Sequence, residues 1–270
     1  MEMMEAKNIT LNSVNNNIKL YVLSDLHLGD PNCDLDKANE VITFIKDTPE
    51  CYCILLGDIM NTATKNSKSD IYSETLSIAE TQNKAKELFT SIKDKIIAII
   101  DGNHEDRVWR EVGLNLTLWL AQSLGLEDKY CGDWLSMVIK FGADSNNRPY
   151  IIKIAGQHGG YGAGRKLGSA LNATEDLDGI INNADLYIRA HTHQPVQGSR
   201  KVYEFNEKGR LVPRLKYYYT APSFLDYGGY GRVKGYKPSD NSPCYLNIRG
   251  VCKRKGVNLE KALKIDKVML

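Results

Sequence analysis

Three short apolar runs constrain this 270-residue chain more than any other feature: "IKLYVLS", "YCILL" and "KIIAII". Each has strand length, each is stopped at once by a turn bearing Asp or Gly, and each is followed by a segment of helical spacing. Strand, turn and helix in alternation are what a mostly parallel sheet with crossover helices requires. The first helical face is Ala38, Val41, Ile42 and Ile45 within residues 37–47. A second, over residues 73–93, carries Leu76, Ala79, Leu88, Phe89 and Ile92 with Ser73 as its N-cap. A third, over 105–124, aligns Trp109, Val112, Leu116, Trp119, Leu120 and Leu124 and is closed by Gly125. Upstream, "NITLNSV" and "IKLYVLS" flank Asn15–Asn17 and read as a hairpin. After residue 134 strand-like runs dominate, from "LSMVIKF" to "CYLNIR", with one helix at about 164–182. The reading is α/β giving way to a largely β second half.

No linker, repeat or low-complexity tract divides the chain, so residues 1–270 are read as a single domain. No apolar stretch approaches the roughly 20 residues that span a bilayer. The start, "MEMMEAKNIT", carries acids where a signal peptide carries positive charge. Six cysteines without a CxxC unit suit reduced thiols, and Cys51 and Cys53 would share one strand face. These features predict a cytoplasmic protein without membrane segments. Net charge is +2, unevenly spread: residues 196–270 hold 16 Lys and Arg against 6 Asp and Glu, and the first 195 hold 19 against 27. Within the basic part, "KYYYT", "DYGGYGRVKGYKP" and "CKRKG" mix residues that can stack on bases and follow a phosphate chain. Solvated strands would use the same residues.

The polar residues fall at strand ends, where open α/β sheets bind ligands. Asp25 and His27 follow the first run, Asp58 the second, Asn103 and His104 the third. His158 follows "YIIKIAGQ", and His191 and His193 follow "DLYIRA". All five histidines of the protein are used in that set. Alternation in extended chain lets Asp25 with His27, and His191 with His193, converge on one ion. Nitrogen and oxygen donors without thiolate suit manganese, iron, zinc or cobalt. Seven candidate ligands exceed one tetrahedral ion and suit two ions sharing a carboxylate.

"DLHLG", "GDIMN", "GNHE", a lone His after a strand, and "HTH" occur in the order and spacing of the calcineurin-like metallophosphoesterases, which the chain resembles from residue 25 to 193. That resemblance implies a four-layer sandwich, two mixed β-sheets packed face to face and flanked by helices. It implies that Asp25, His27, Asp58 and His193 hold one divalent ion and Asp58, Asn103, His158 and His191 the other, manganese foremost and iron, zinc, cobalt or nickel as alternatives. A metal-bridging hydroxide would be the nucleophile and His104 the general acid. The substrate would be a phosphate ester, and the basic last quarter points to a nucleotide or nucleic-acid diester. A phosphomonoester is the alternative, as is a non-catalytic scaffold, which would be expected to have lost ligands that are all present here. In the branch that dephosphorylates proteins, an Asp-Arg pair follows the second motif and the Asp orients the catalytic histidine. Residues 61–63 read Asn-Thr-Ala, so that carboxylate is missing. Arg107 and Arg165 are candidates for substrate-phosphate contacts. "GGYGAGRK" (159–166) mimics a nucleotide-binding loop but lacks its Lys followed by Ser or Thr.

Overall fold

The structure, a computed structural model, describes residues 6–11, 13, 15–67, 71–160, 166–233, 235, 237–255 and 258–270. Among these, six strands form one sheet, in spatial order β1 (Lys7–Thr10), β5 (Leu135–Phe141), β6 (Tyr150–Gln157), β7 (Leu186–Arg189), β9 (Leu211–Thr220) and β8 (Val196–Phe205). Five form a second: β11 (Asn258–Met269), β10 (Cys244–Lys255), β2 (Asn17–Leu23), β3 (Cys51–Leu56) and β4 (Ile96–Ile100). Both sheets are mixed. β2, β3 and β4 run parallel in one, β6, β7 and β9 in the other, and antiparallel strands complete each.

The sheets pack face to face through a core that takes Leu20, Val22, Ile54, Leu56 and Ile100 from one and Met137, Ile139, Ile152, Ile154 and Ile188 from the other. Because side chains alternate along a strand, the intervening residues Tyr21, Leu23, Cys53 and Leu55 point the opposite way. They are covered by α1 (Leu35–Asp47), α2 (Ile78–Thr90) and α4 (Leu116–Leu124), with Val41, Ile45, Phe89 and Leu120 in contact. On the outside of the six-stranded sheet, α5 (Leu167–Glu175) and the turn after it set Leu171 and Leu177 against Tyr187 and Tyr218. The result is four layers, helix–sheet–sheet–helix. No helix among the described residues is long and apolar enough to cross a membrane. All six cysteines are free thiols, and Cys51 and Cys53 are buried.

Four local expectations are corrected. β1 and β2 do not form a hairpin: β1 pairs in parallel with β5, β2 lies in the other sheet, and the Asn-rich link crosses between sheets. Asn15 donates to the Glu50 carboxylate and Asn16 accepts from the Ala143 N–H, so these side chains tie a crossing rather than close a two-residue turn. The second helix begins at Ile78, because Ser77 and Glu80 form a reciprocal capping box there. The third splits into α3 (Asn103–Val112) and α4: Gly113 ends one at φ 71°, and Asn115 caps the next by accepting from Leu118 N–H at 2.7 Å. Trp109 and Val112 are accordingly exposed rather than part of one long apolar face. The helix expected at 164–182 is helical from Leu167 to Glu175 and then tightens into a 3₁₀ turn.

Candidate metal centre

The carboxyl ends of β2, β3 and β4 in one sheet and of β6 and β7 in the other open onto the same edge of the sandwich, and each delivers polar side chains there. Asp25 and His27 follow β2, Asp58 follows β3, and Asn103 and His104 start α3 directly after β4. His158 follows β6, and His191 and His193 follow β7. The loops approach very closely. A Cβ on Gly102 would lie 2.0 Å from the Asp58 backbone nitrogen, and one on Gly57 would lie 2.6 Å from Gly102 Cα, so only glycine fits either place. Six non-glycine residues at this edge, Asp25, His27, Asp58, Thr62, His191 and His193, have φ between 48° and 69°. That left-handed backbone is uncommon outside glycine and gathers at functional sites.

Three groups of potential ligands result: Asp25, His27 and His193; His27, Asp58 and His104; and Asp58, His158 and His191, each with its donor atoms within 4.8 Å of one another. Asp58 belongs to two of them. Each aspartate is split in function. Asp25 Oδ2 accepts the His191 N–H at 3.0 Å and Asp58 Oδ1 accepts the His104 N–H at 2.9 Å. Their other oxygens, Asp25 Oδ1 and Asp58 Oδ2, are buried without a hydrogen bond. The first faces His193 Nε2 at 3.1 Å and the second faces His158 Nε2 at 3.1 Å.

The histidines converge in the same way. His158 donates its Nδ1 proton to the Leu56 carbonyl at 2.7 Å, which aims Nε2 at Asp58 and at Asn103 Oδ1, 3.2 Å away. His27 Nε2 and His193 Nε2 meet at 3.3 Å. Lone pairs of carboxylate, amide and imidazole thus point at one another, which is the arrangement a cation resolves. A donor set of this kind fits divalent ions. Electrostatics agree. Burial would push Asp25 and Asp58 up, but the imidazoles around them, His193 for one and His158 for the other, hold both well below the usual carboxylate range. Burial likewise opposes a charge on His158, and Asp58 overrides it, lifting His158 to about 10. Burial and the charge on His158 push His191 down to about 4.

His104 stands beside this cluster, its ring 4.3 Å from that of His27. Its Nδ1 donates to the Asn61 carbonyl at 2.8 Å, and Arg107, one helical turn on, donates to its Nε2 at 2.8 Å. Burial, with His27 and Arg107 nearby, holds His104 well below the ordinary imidazole range. Arg165 lies outside the described residues.

Glu105 is absent from the ligand set read from the sequence. It is 3% exposed and accepts two backbone N–H groups, from Met60 at 2.8 Å and from Asp58 at 3.1 Å. The turn that carries Asp58 is therefore fastened to α3. The loop after β9 was missed as well: Phe224 N–H donates to the Asp25 carbonyl at 3.0 Å, and no motif marks it. The basic strands lead elsewhere. Thr220 pairs with both Arg189 and Val196, so the β8–β9 turn is at the far end from the histidines. Arg249 pairs with Asn17 at the start of β2, which sends the rest of β10 the same way.

A four-layer αββα sandwich that gathers Asp, His and Asn at the strand ends of both sheets defines a class of metal-binding protein. The sequence profile of the calcineurin-like phosphoesterase family matches residues 18–195, and the chain belongs to that family. The family typically binds divalent metals, and the cluster is a candidate site for them. No curated protein sequence matches the chain. Among solved structures it is similar to Vps29 of Chaetomium thermophilum, at 12% identity over 93% of this chain and 97% of that one. The TM-score is 0.36, and so loose a superposition supports no functional comparison.

Proposed function

We propose that the protein hydrolyses a phosphate ester at this cluster with two divalent ions. Asp25, His27, Asp58 and His193 hold one ion, and Asp58, Asn103, His158 and His191 hold the other. The observation that carries the reading is the position of Asp58, common to two ligand groups and within 3.8 Å of His104. Two ions, when bound, supply charge for the phosphoryl oxygens and acidify water into the neutral range; manganese is our first choice. The chain's own residues do the rest. Asp25 and Asp58 each keep one oxygen on a backbone N–H and turn the other inward. Once Arg107 withdraws, His104 Nε2 takes a proton from solvent and passes it to the leaving oxygen as the P–O bond breaks, while Nδ1–H stays on the Asn61 carbonyl. Arg107 gives up His104 Nε2 for a non-bridging phosphate oxygen, a bidentate partner for which guanidinium is suited.

Among esters, a nucleotide or nucleic-acid diester comes first, on the support of the loop after β9, which carries Tyr227 and Arg232 and sets the Phe224 N–H on the Asp25 carbonyl. A monoester has one observation in its favour: Arg107 adds a cation for the non-bridging oxygens, where a monoester carries extra charge. Six free thiols support a reducing, cytoplasmic setting. The test is hydrolysis of diphenyl phosphate and phenyl phosphate, whose leaving groups need a proton, with added manganese, in the parent and in His104→Ala. The parent is expected to cleave the diester faster, and the variant to lose about 10²–10⁴-fold in rate while keeping its metal. Preference for the monoester would reverse the substrate assignment. Turnover untouched by His104→Ala would remove the acid from the mechanism.

A further inference from the structure

His104 lacks the carboxylate that orients its counterpart in the protein-phosphatase branch, because residues 61–63 are Asn-Thr-Ala. A loop carbonyl, that of Asn61, takes the Nδ1 proton instead. Such an anchor is only as firm as its loop. Asn61–Ala63 wraps His104 from two sides, since Thr62 Oγ1 also donates to the His104 carbonyl at 2.5 Å. Thr62 does so at φ 48°, a conformation β-branched residues rarely adopt, so something outside the turn must impose it.

Glu74 does. It lies outside every motif of the family pattern, in the segment ahead of α2. Its Oε1 accepts from Asn61 Nδ2 at 2.5 Å, and its carboxylate also accepts the Ala63 N–H, so it grips the residue on each side of Thr62. Asn61 Nδ2 has a second, longer contact with Asp30 Oδ2 at 3.4 Å. Glu74 is itself seated on the "DLHLG" turn. A Cβ on Gly29 would lie 3.0 Å from Glu74 Oε2, and the next residue, Thr75, donates to the Gly29 carbonyl from both N–H and Oγ1, at 2.8 and 3.0 Å. The turn bearing Asp25 and His27 and the turn orienting His104 therefore share one carboxylate between them.

Resting on the hydrolytic reading above, we propose that Glu74 is a positioning residue that replaces the missing motif carboxylate from a distance. It fixes Asn61–Ala63, the Asn61 carbonyl fixes the Nδ1–H tautomer of His104, and Nε2 is thereby left to face the leaving oxygen. Nε2, bare in that tautomer, takes a proton from solvent and gives it to the leaving oxygen as the P–O bond breaks, and Glu74 never meets the substrate.

A positioning role through the acid has a signature that a structural role lacks: it depends on how much the leaving group needs a proton. The assay compares phenyl phosphate with p-nitrophenyl phosphate, whose leaving group departs without help. If the parent prefers diesters, the corresponding diesters replace them. Glu74→Ala should lower kcat about tenfold or more on the phenyl ester and under about threefold on the nitrophenyl ester, with KM and manganese content unchanged. Glu74→Gln, whose amide oxygen still accepts from Asn61, should recover most of the loss. Glu74→Ala combined with His104→Ala should be no slower than His104→Ala alone. Equal loss on both esters, or additive loss in the double variant, would overturn the proposal and leave the hydrolytic reading standing.

One measurement needs no turnover. In histidine-labelled protein the Nδ1 proton of His104, protected while the Asn61 carbonyl holds it, should be lost to exchange in Glu74→Ala and retained in Glu74→Gln. Its persistence in Glu74→Ala overturns the proposal whether or not the parent hydrolyses either ester.

Discussion

Replacing Glu105 with alanine tests whether the Asp58 turn is held from α3. Glu105 is buried, and each of its oxygens accepts one backbone N–H from that turn. Burial, and then the charge of Asp58, push its carboxyl up to about 8. Two N–H donors facing two oxygens favour the ionised form, because a protonated carboxyl would set a hydroxyl against one of them. Alanine leaves both donors without an acceptor at about 1–3 kcal/mol each, partly relieved where water enters the space and by removal of a buried charge. The net expectation is a loss of about 2–4 kcal/mol in urea unfolding at unchanged m. Metal binding should suffer separately, because the freed turn carries the shared ligand. Residues that orient ligands typically contribute about 10–100-fold in affinity. At a manganese concentration about 100 times the parent's dissociation constant, the parent gains about 2.7 kcal/mol per site, and a variant weakened about 100-fold gains only about 0.4 kcal/mol. Urea titrations of parent and variant with and without manganese read both effects. A variant within about 0.5 kcal/mol of the parent, with the same gain from metal, would refute the fastening.

Two further outcomes follow from the same coordinates. Gly102→Ala should cost about 3 kcal/mol or more, because its Cβ meets backbone rather than a movable side chain. Gly168→Ala in α5, with open space around it, should stabilise by about 0.5–1 kcal/mol, and the opposite order in urea melts would refute the close approach. Away from the site, Asp178 accepts from Lys216 Nζ, Tyr187 Oη and Tyr218 Oη, and these donors outweigh its burial to hold it below the usual carboxylate range. A depressed folded value means stability that is present above about pH 4 and lost as pH falls through that value. The Tm of Asp178→Asn should therefore lie below the parent's at pH 6 and converge on it under acid. Parallel curves would refute the coupling.

What could be read from the sequence was whatever depends on short range and strict period. β3 and β4, and β2 from Leu20 on, are apolar because both faces of those strands are covered, and the seven ligand candidates follow strand ends where the backbone must turn. Long-range pairing was not legible. Asn15–Asn17 has hairpin composition, yet β1 buries Ile9 against the sheet that contains β5, and only the folded chain brings residues 7–10 and 137–140 together. The α3–α4 break carried its signals, Gly113 and Asn115, inside a stretch whose apolar spacing ran straight through them. Glu105 and Glu74 escaped for a different reason. Their identity matters through what they accept from backbone N–H groups elsewhere, and spacing along one segment does not record that.

The backbone at the site shows why ligand-type residues and glycines are interleaved there. A strand that simply continued would alternate its side chains between the two faces of the sheet, and Asp25 and His27 would then enter the apolar packing. Instead both take φ near 50°, as do Asp58 and His193, which turns each chain out of the sheet beyond its strand end. Left-handed aspartate and histidine each cost on the order of 1–2 kcal/mol, and two buried carboxylates add desolvation. Those costs are offset locally by the N–H bonds of His104 and His191 to the aspartates, by Glu105 on the Asp58 turn, and by the Leu56 carbonyl on His158. These supports come from the start of α3, the end of β3 and the loop after β7. Ligand geometry is thus set only when both sheets are assembled, so metal affinity and folding free energy should be linked in this chain, and a substitution that loosens the inter-sheet core should weaken the centre from a distance.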